Sequence, residues 1–315
     1  MVTTSLRRLG NAGLTALGNM RRSSYDLNRT IVLSGTGRGG TTWLAQLMTA
    51  VPGSLILWEQ LHSATNPASL EYGFGRPRYL PVDFAGARET DYIEFMLKGG
   101  VLGTGLRSQL YFNPWNVIFF KRYIHKFVNA NMLLPWMTHR FGIKLIYLVR
   151  HPCAVVSSQL RHSYGAWADH SKSKCFHESL FSRYPHLQDV YDRINTREES
   201  LAFDWAIQNY VPLKEGFKGI TVFYEDLVDH PEQELGRIFD FLEMQMPAGV
   251  KRKITKPSKT AYKDSNNLKN GKADLAGWKK KLKPEQVEAV MDVVIQVGVD
   301  LYGSDARPVK RTLDP

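Results

Sequence analysis

Residues 30–48 read TIVLSGTGRGGTTWLAQLM, an apolar strand that runs through a glycine-rich loop into a helix. This unit constrains the fold strongly, because a buried strand followed at once by a helix is typical of a parallel sheet. Glycines let backbone N–H groups approach an anion closely, and the start of the helix adds partial positive charge. The segment predicts a phosphate-binding loop, although a turn that only connects strand and helix is the alternative.

The loop departs from the pattern of nucleoside triphosphatases at one position. Gly35 and Gly40 have the expected spacing, but Thr41 stands where those enzymes have a lysine. The one cation of the loop, Arg38, comes before Gly40 instead. The missing lysine counts against triphosphate hydrolysis. It leaves a cradle for a single phosphate, with Arg38 placed to reach over the bound group.

Apolar segments alternate with helical patterns along the rest of the chain, and a further helix starts at Pro152. We predict strands at 30–34, 54–58, 117–121, 143–149 and 219–224, and helices at 41–50, 89–98, 124–139, 197–215, 229–242 and 284–299. Apolar strands without polar alternation belong to sheets that are covered on both faces. We therefore predict an α/β fold with three layers, a mostly parallel sheet flanked by helices, and a ligand at the carboxyl ends of the strands.

Composition narrows the class of protein. The 315 residues carry a formal net charge of +11, which indicates an anionic partner. We expect one domain at 30–315, preceded by an arm or amphipathic helix at 1–29. No apolar run is long enough to span a bilayer, and the two cysteines form no disulfide framework. A cytoplasmic protein without a transmembrane segment is the expectation.

A second candidate phosphate site follows the most apolar predicted strand, in YLVRHPCAVVSSQLRH (147–162). Arg150 ends the strand, Pro152 starts a helix, and Ser158 comes eight residues after Arg150. The guanidinium offers a rigid fork of donors that suits phosphate, and the serine hydroxyl would complete the site. The nine histidines form no pattern of metal ligands, so we predict no metal.

Three segments together resemble the signatures of the sulfotransferases that use PAPS (3′-phosphoadenosine 5′-phosphosulfate). They are GRGGTTW (37–43), RHPCAVVSS (150–158) and VFYEDLVDHPEQEL (222–235). The resemblance implies a fold like that of P-loop nucleotide triphosphatases. It also implies transfer of the sulfuryl group to a hydroxyl or amine of a small molecule, secondary metabolite or carbohydrate, with release of PAP (adenosine 3′,5′-bisphosphate). A homodimer remains open.

The resemblance assigns nucleotide-binding roles residue by residue. The 5′-phosphosulfate is assigned to Gly37, Arg38, Gly39, Gly40, Thr41 and Thr42, adenine to Trp43 and Tyr224, and the 3′-phosphate to Arg150 and Ser158. A basic glycine loop adds Lys269, Asn270 and Gly271 to the 3′-phosphate. Two positions depart from the family pattern: Gly37 replaces a proline and Gly39 replaces a serine.

The catalytic roles are assigned by the same resemblance. Arg38 would stabilise the leaving group, since a guanidinium does not give up its proton at neutral pH. Glu59, after the second strand, is the favoured general base, as in many bacterial and carbohydrate sulfotransferases. His62, three residues after Glu59, and His125 are alternative bases. The cytosolic enzymes use a histidine in a K-x-H pattern, but in FFKRYIHKF (119–127) Tyr123 stands at that position and His125 comes two residues later. Lys121 fits as a cation near the transferred group. Deprotonation assisted by the substrate is a further alternative.

Two other classes of function compete with this assignment. A P-loop kinase or triphosphatase would need the lysine that the loop lacks. A nucleic-acid-binding protein would explain the charge, but the basic residues are spread along the chain rather than gathered in a stripe. Aromatic residues between 111 and 120 either line an acceptor pocket or pack in the core.

Overall fold

Five parallel strands form a single sheet in the computed structural model, which describes residues 13, 16–102, 114–161, 178–254 and 274–311. The strands are β1 (Ile31–Gly35), β2 (Ser54–Trp58), β3 (Arg122–Phe127), β4 (Lys144–Val149) and β5 (Gly219–Phe223). Their order across the sheet is β2-β3-β1-β4-β5. Because all neighbouring pairs are parallel, the strands end along one side of the sheet, called here the carboxyl edge, and begin along the other, the amino edge.

Helices connect the strands and cover the sheet. They are α1 (Thr41–Met48), α2 (Ala87–Leu97), α3 (Pro114–Ile118), α4 (Leu134–Arg140), α5 (Pro152–Leu160), α6 (Glu178–Arg183), α7 (His186–Asp192), α8 (Arg197–Glu215), α9 (Tyr224–Asp229), α10 (Pro231–Phe241), α11 (Ala248–Lys251) and α12 (Pro284–Val297). Residues 16–22 are also helical. Within the described ranges, no helix combines the length and apolar content that crossing a bilayer requires.

Alternate side chains of the strands feed the two largest hydrophobic clusters, one on each face of the sheet, while Leu55, Leu57 and Tyr123 belong to a smaller third cluster. On one face, Val32 and Tyr147 pack with side chains of α2, α4, α5, α8 and α12. On the other face, Leu33 and Ile146 pack with side chains of α1 and α10. Side chains of a strand alternate between faces, so a strand that is apolar at every position is buried on both. The predicted three-layer α/β architecture is confirmed.

One predicted strand is wrong. The segment 117–121 does not form a strand: α3 occupies Pro114–Ile118, and β3 begins only at Arg122. The predicted helix at 124–139 is wrong in its first half for the same reason. The physical cause is that β3, a central strand, carries the polar residues His125 and Lys126, both buried. They hide its apolar pattern, whereas the apolar residues just before β3 lie outside the sheet.

Candidate active site

The loop between β1 and α1 is held in an uncommon backbone conformation. Arg38 has φ 72° and Gly40 has φ 102°, both in the left-handed region. For a residue with a Cβ atom this region costs about 1 kcal/mol or more, and such strain concentrates at functional sites. Gly40 is the N-cap of α1 and supplies no side-chain cap. The first N–H groups of α1, near Thr41 and Thr42, are thus available to an anion.

Hydrogen bonds join this loop directly to the second predicted phosphate motif. Arg38 Nε donates to Ser158 Oγ at 3.0 Å, and Arg150 Nη1 donates to the carbonyl oxygen of Arg38 at 3.1 Å. Gln159 Nε2 donates to the carbonyl oxygen of Gly37 at 2.9 Å. The structure therefore brings together Gly37, Arg38, Arg150 and Ser158, which the sequence separates by more than a hundred residues.

Arg150 is positioned by aromatic side chains, and one of its N–H donors has no acceptor among the described residues. Its Cζ atom lies 4.3 Å from the centre of the Tyr224 ring, and Trp205 Nε1 donates to its carbonyl oxygen at 3.1 Å. Its Nε is buried and has no acceptor among the residues that the structure describes. A buried donor without a partner costs about 1–3 kcal/mol. A phosphate oxygen would remove that cost, so the donor set fits a nucleotide phosphate.

The two aromatic residues assigned to adenine have different surroundings. Trp43 is buried in the cluster under α1 and meets the Tyr224 ring edge-on, with 6.1 Å between ring centres. Tyr224 is only partly buried and lies against Arg150. We call Gly37, Arg38, Arg150 and Ser158 the phosphate cluster. Of the two aromatic residues, Tyr224 is the one that contacts this cluster, and Trp43 packs against Tyr224.

His151, next to Arg150, anchors this motif to the end of the chain. Its Nδ1 accepts a hydrogen bond from Cys153 N–H at 3.1 Å, so the proton is on Nε2, which donates to the Gly303 carbonyl at 3.2 Å. Burial lowers the pKa of His151 to about 4. Glu225 accepts from His151 N–H at 3.1 Å and from the Tyr302 hydroxyl at 2.8 Å. Burial raises the pKa of Glu225, against the effect of these donors.

Glu59 lies at the carboxyl edge, directly after β2. Its Oε1 accepts from Lys126 Nζ, and its Oε2 accepts from Val128 N–H at 2.9 Å. Both side chains of the ion pair are mostly buried. Like Arg38, Glu59 has a left-handed backbone, with φ 46°. Lys126 pairs with Leu33 of β1 in the sheet, so the Glu59–Lys126 pair is next to the strand that leads into the loop.

Lys121, the expected cation near the transferred group, does not lie there. Its backbone N–H binds the Gly53 carbonyl at the start of β2, and its exposed side chain is at the amino edge. Lys126 comes five positions later along the extended chain, which corresponds to about 17 Å. Lys126, by contrast, lies at the carboxyl edge and contacts Glu59. Two residues after Lys126 stands Val128, where a K-x-H pattern has its histidine, and its backbone N–H binds Glu59.

The two alternative histidines are engaged in structural contacts. His125 is fully buried in β3, with its ring nitrogens 2.7 Å from Gln60 Oε1 and 3.1 Å from the Leu97 carbonyl oxygen. Burial lowers the pKa of His125 to about 4. His62 accepts a hydrogen bond from Ala64 N–H at its Nδ1, within the turn after Glu59. His125 therefore has no access to the carboxyl edge, whereas His62 is partly buried like Glu59.

Several residues expected to bind the nucleotide or the acceptor are either outside the described residues or away from the site. Lys269, Asn270 and Gly271 lie outside the described residues. Trp115 and Phe119 are strongly exposed, and they lie on and just after α3, at the amino edge rather than at the phosphate cluster. They do not line an acceptor pocket there.

Sequence reasoning missed four residues that build the site: Lys126, Gln159, His151 and Glu225. A signal existed for two of them. Gln159 follows Ser158 directly, and Glu225 follows Tyr224 inside the third motif. His151 and Lys126 gave none, because their roles depend on contacts with the Gly303 region and with Glu59 that no local pattern reveals.

Comparisons with known proteins identify one family and several solved structures that the chain resembles. The sulfotransferase domain family matches residues 28–297. No curated protein matches the chain. Solved structures that resemble it include a sulfotransferase domain from the curacin biosynthetic pathway, with 19% identity, 88% of this chain and 100% of that chain covered, and a TM-score of 0.46.

Two further structures have similar scores. A sulfotransferase domain from the Synechococcus PCC 7002 olefin synthase has 18% identity, covers 85% of this chain and 95% of that chain, and has a TM-score of 0.45. A mouse sulfotransferase complexed with PAP has 15% identity, covers 86% of this chain and 85% of that chain, and has a TM-score of 0.39.

We predict that Gly40→Ala destabilises the protein by about 1–3 kcal/mol and weakens PAP binding. The left-handed φ disfavours alanine, and the added Cβ would lie 2.5 Å from Tyr224 Cδ2, which pushes the ring toward Arg150. Gly236→Ala, in α10 with no heavy atom near the added Cβ, is the control and should be neutral or slightly stabilising. Thermal melting and calorimetry measure both variants. Equal behaviour of the two would contradict the role of the loop conformation.

We also predict a pH dependence of stability that comes from His151. Its folded pKa of about 4 is below the usual value near 6.5, so the unfolded chain binds the proton first as the pH falls. The stabilisation is complete above about pH 6.5 and is lost toward pH 4, by up to about 1.4 kcal/mol per pH unit. His151→Asn keeps a cap acceptor but cannot titrate. Urea unfolding at several pH values should show a shallower acid slope for this variant; an unchanged slope would refute the prediction.

Proposed function

We propose that this chain, which belongs to the sulfotransferase domain family, is a PAPS-dependent sulfotransferase and that the cluster of Arg38, Ser158 and Arg150 is its nucleotide site. The observation that carries the proposal is the direct contact between the loop and α5, through Arg38 Nε and Ser158 Oγ. Two phosphate-binding motifs joined in this way suit a nucleotide with phosphates at two positions on one ribose.

The chemistry of the side chains suggests how the two phosphates would be divided. The open start of α1, with Thr41 and Thr42, would hold the 5′-phosphate, and Arg38 would extend over the group to be transferred. Arg150 and Ser158 would hold the 3′-phosphate through the unpartnered Nε of Arg150 and the serine hydroxyl. Tyr224, which lies against Arg150, is the candidate to contact adenine.

The bound PAPS supplies the sulfuryl group, and the leaving group is PAP. In the transfer, the sulfur–oxygen bond to the 5′-phosphate breaks as a bond forms to the acceptor oxygen or nitrogen. Arg38 and the N–H groups of α1 would stabilise the negative charge that develops on the phosphate. The hydrogen bond to Ser158 fixes the Arg38 guanidinium before the reaction, so little reorganisation of this side chain is needed.

Glu59 is our proposed general base. Its carboxylate is at the same edge of the sheet as the loop, two strands from β1, which is about 10 Å between strand axes. Lys126 and Val128 N–H hold the carboxylate in a single orientation. It would accept the proton of the acceptor, while the Lys126 ammonium keeps a positive charge next to the reacting groups.

The acceptor class that this arrangement suits is a hydroxyl or amine of a small molecule, secondary metabolite or carbohydrate. Such groups are neutral before the transfer and need a base, which the carboxylate provides. We place the enzyme in the cytoplasm, in agreement with a buried Cys153 thiol that forms no disulfide within the described residues.

Arg38→Ala and Arg150→Ala should separate the two phosphate roles. We expect Arg38→Ala to lower turnover about 100-fold or more, because it removes stabilisation of developing charge. Arg150→Ala should mainly weaken PAP binding, by about tenfold or more. Calorimetry with PAP and transfer of labelled sulfate from PAPS to a panel of acceptors measure these effects. Equal and mild effects would contradict the roles, and absence of PAP binding with magnesium-dependent ATP turnover would favour the kinase alternative.

Glu59→Gln should lower turnover about 100-fold while PAP affinity stays within about twofold. The amide still accepts from Val128 N–H but cannot act as a base. Glu243→Gln is a matched control, since Glu243 also has a left-handed backbone, with φ 56°, and pairs with Lys144, but is exposed. It should behave as the wild type. Turnover of Glu59→Gln equal to that of the control would exclude Glu59 as the base.

A further inference from the structure

Apolar side chains are clustered on one exposed surface at the amino edge of the sheet. Trp115, Ile118 and Phe119 are 64%, 65% and 64% exposed, and we call these three residues the amino-edge patch. Their spacing places them on the same side of α3 and of the turn that follows it. The rings of Trp115 and Phe119 are stacked, with 6.3 Å between centres. Met20, 77% exposed, belongs to the neighbouring helical residues 16–22.

Hydrogen bonds fix the helix that carries the patch to the rest of the protein. Asn116 Nδ2 donates to the Ser54 carbonyl at 2.8 Å, and Asn116 Oδ1 accepts from Gly53 N–H, so α3 is tied to the start of β2. Arg21 Nη2 donates to the Val117 carbonyl at 2.9 Å and joins residues 16–22 to the same helix. Exposure of the patch is therefore a fixed feature of this surface.

Cations lie close to the patch. Lys121 is exposed beside it, and Arg21 and Arg22, both partly buried, belong to the neighbouring helical segment. The sequence has no Asp or Glu between Glu94 and Asp169, a stretch that contains α3. An exposed apolar cluster with cations beside it is typical of a surface that binds an anionic membrane.

We propose that the amino-edge patch docks the protein on the surface of an anionic lipid bilayer. Trp115, Ile118 and Phe119 enter the headgroup boundary, where tryptophan is favoured, and Lys121 and the arginines face lipid phosphates. A second copy of the chain is disfavoured as the partner, because pairing two such surfaces would bring like charges together. Docking leaves the carboxyl edge, about 17 Å away along β2, in water. It is independent of the proposed function.

Sedimentation with lipid vesicles tests the proposal on the full chain. We expect binding to vesicles of mixed phosphatidylglycerol and phosphatidylcholine, a blue shift of tryptophan fluorescence, and weaker binding at high salt. Replacing Trp115, Ile118 and Phe119 by serine together should weaken binding about tenfold or more. A double variant with Leu70→Ser and Ile295→Ser, two strongly exposed apolar residues elsewhere, is the control and should bind like the wild type.

Melting curves and PAP binding confirm that the triple variant is folded, and Lys121→Glu tests the charge without removing an apolar side chain. Lys121→Glu should weaken binding to the anionic vesicles. Three results would overturn the proposal: no binding of the wild type, equal binding by the triple variant, or equal binding to pure phosphatidylcholine. A fourth contrary result would come from light scattering. If the wild type is a dimer and the triple variant is a monomer, the patch binds a second copy of the chain and not a membrane.

Discussion

The hydrogen bond between Arg38 and Ser158 is the contact on which the candidate site depends. It joins the loop after β1 to the helix after β4, two neighbouring strands of the sheet. Without it, the loop and α5 would each present an isolated anion site of the kind that many helix starts offer. With it, and with the Arg150 bond to the Arg38 carbonyl, the distance between two phosphate positions is set by the sheet itself. We propose that selectivity for a nucleotide with two separate phosphates would follow from that distance.

Backbone strain marks the two residues to which we assign the chemistry. Among the described residues, three that are not glycine have a positive φ, and two of them are Arg38 and Glu59. Each has its strain balanced by a rigid neighbour: the bond to Ser158 for Arg38, and the Lys126 and Val128 contacts for Glu59. Strained positions persist where the surroundings hold them, and a fixed carboxylate and a fixed guanidinium are what transfer between two bound groups needs.

Sequence patterns predict those elements correctly whose residues match the ordinary pattern of a buried strand or a helix. The strand at 54–58 and the helix at 197–215 have the predicted bounds, and the structure shows that a capping box at Thr196 starts that helix. The third strand was not predictable in this way. Its polar residues, His125 and Lys126, are accommodated by partners far along the chain, Gln60 and Glu59. The wrong bounds of this strand also explain the error at Lys121. Lys121 precedes β3 at the amino edge, whereas Lys126 lies near its carboxyl end.

The contacts of His151 and Glu225 make the surroundings of Arg150 depend on a segment that the family match does not include. Gly303 and Tyr302, their partners, follow the matched range 28–297. The backbone next to Arg150 is thus held in part by residues outside the three sequence motifs. We infer that changes in this segment could tune the proposed nucleotide site while the loop and α5 stay as they are.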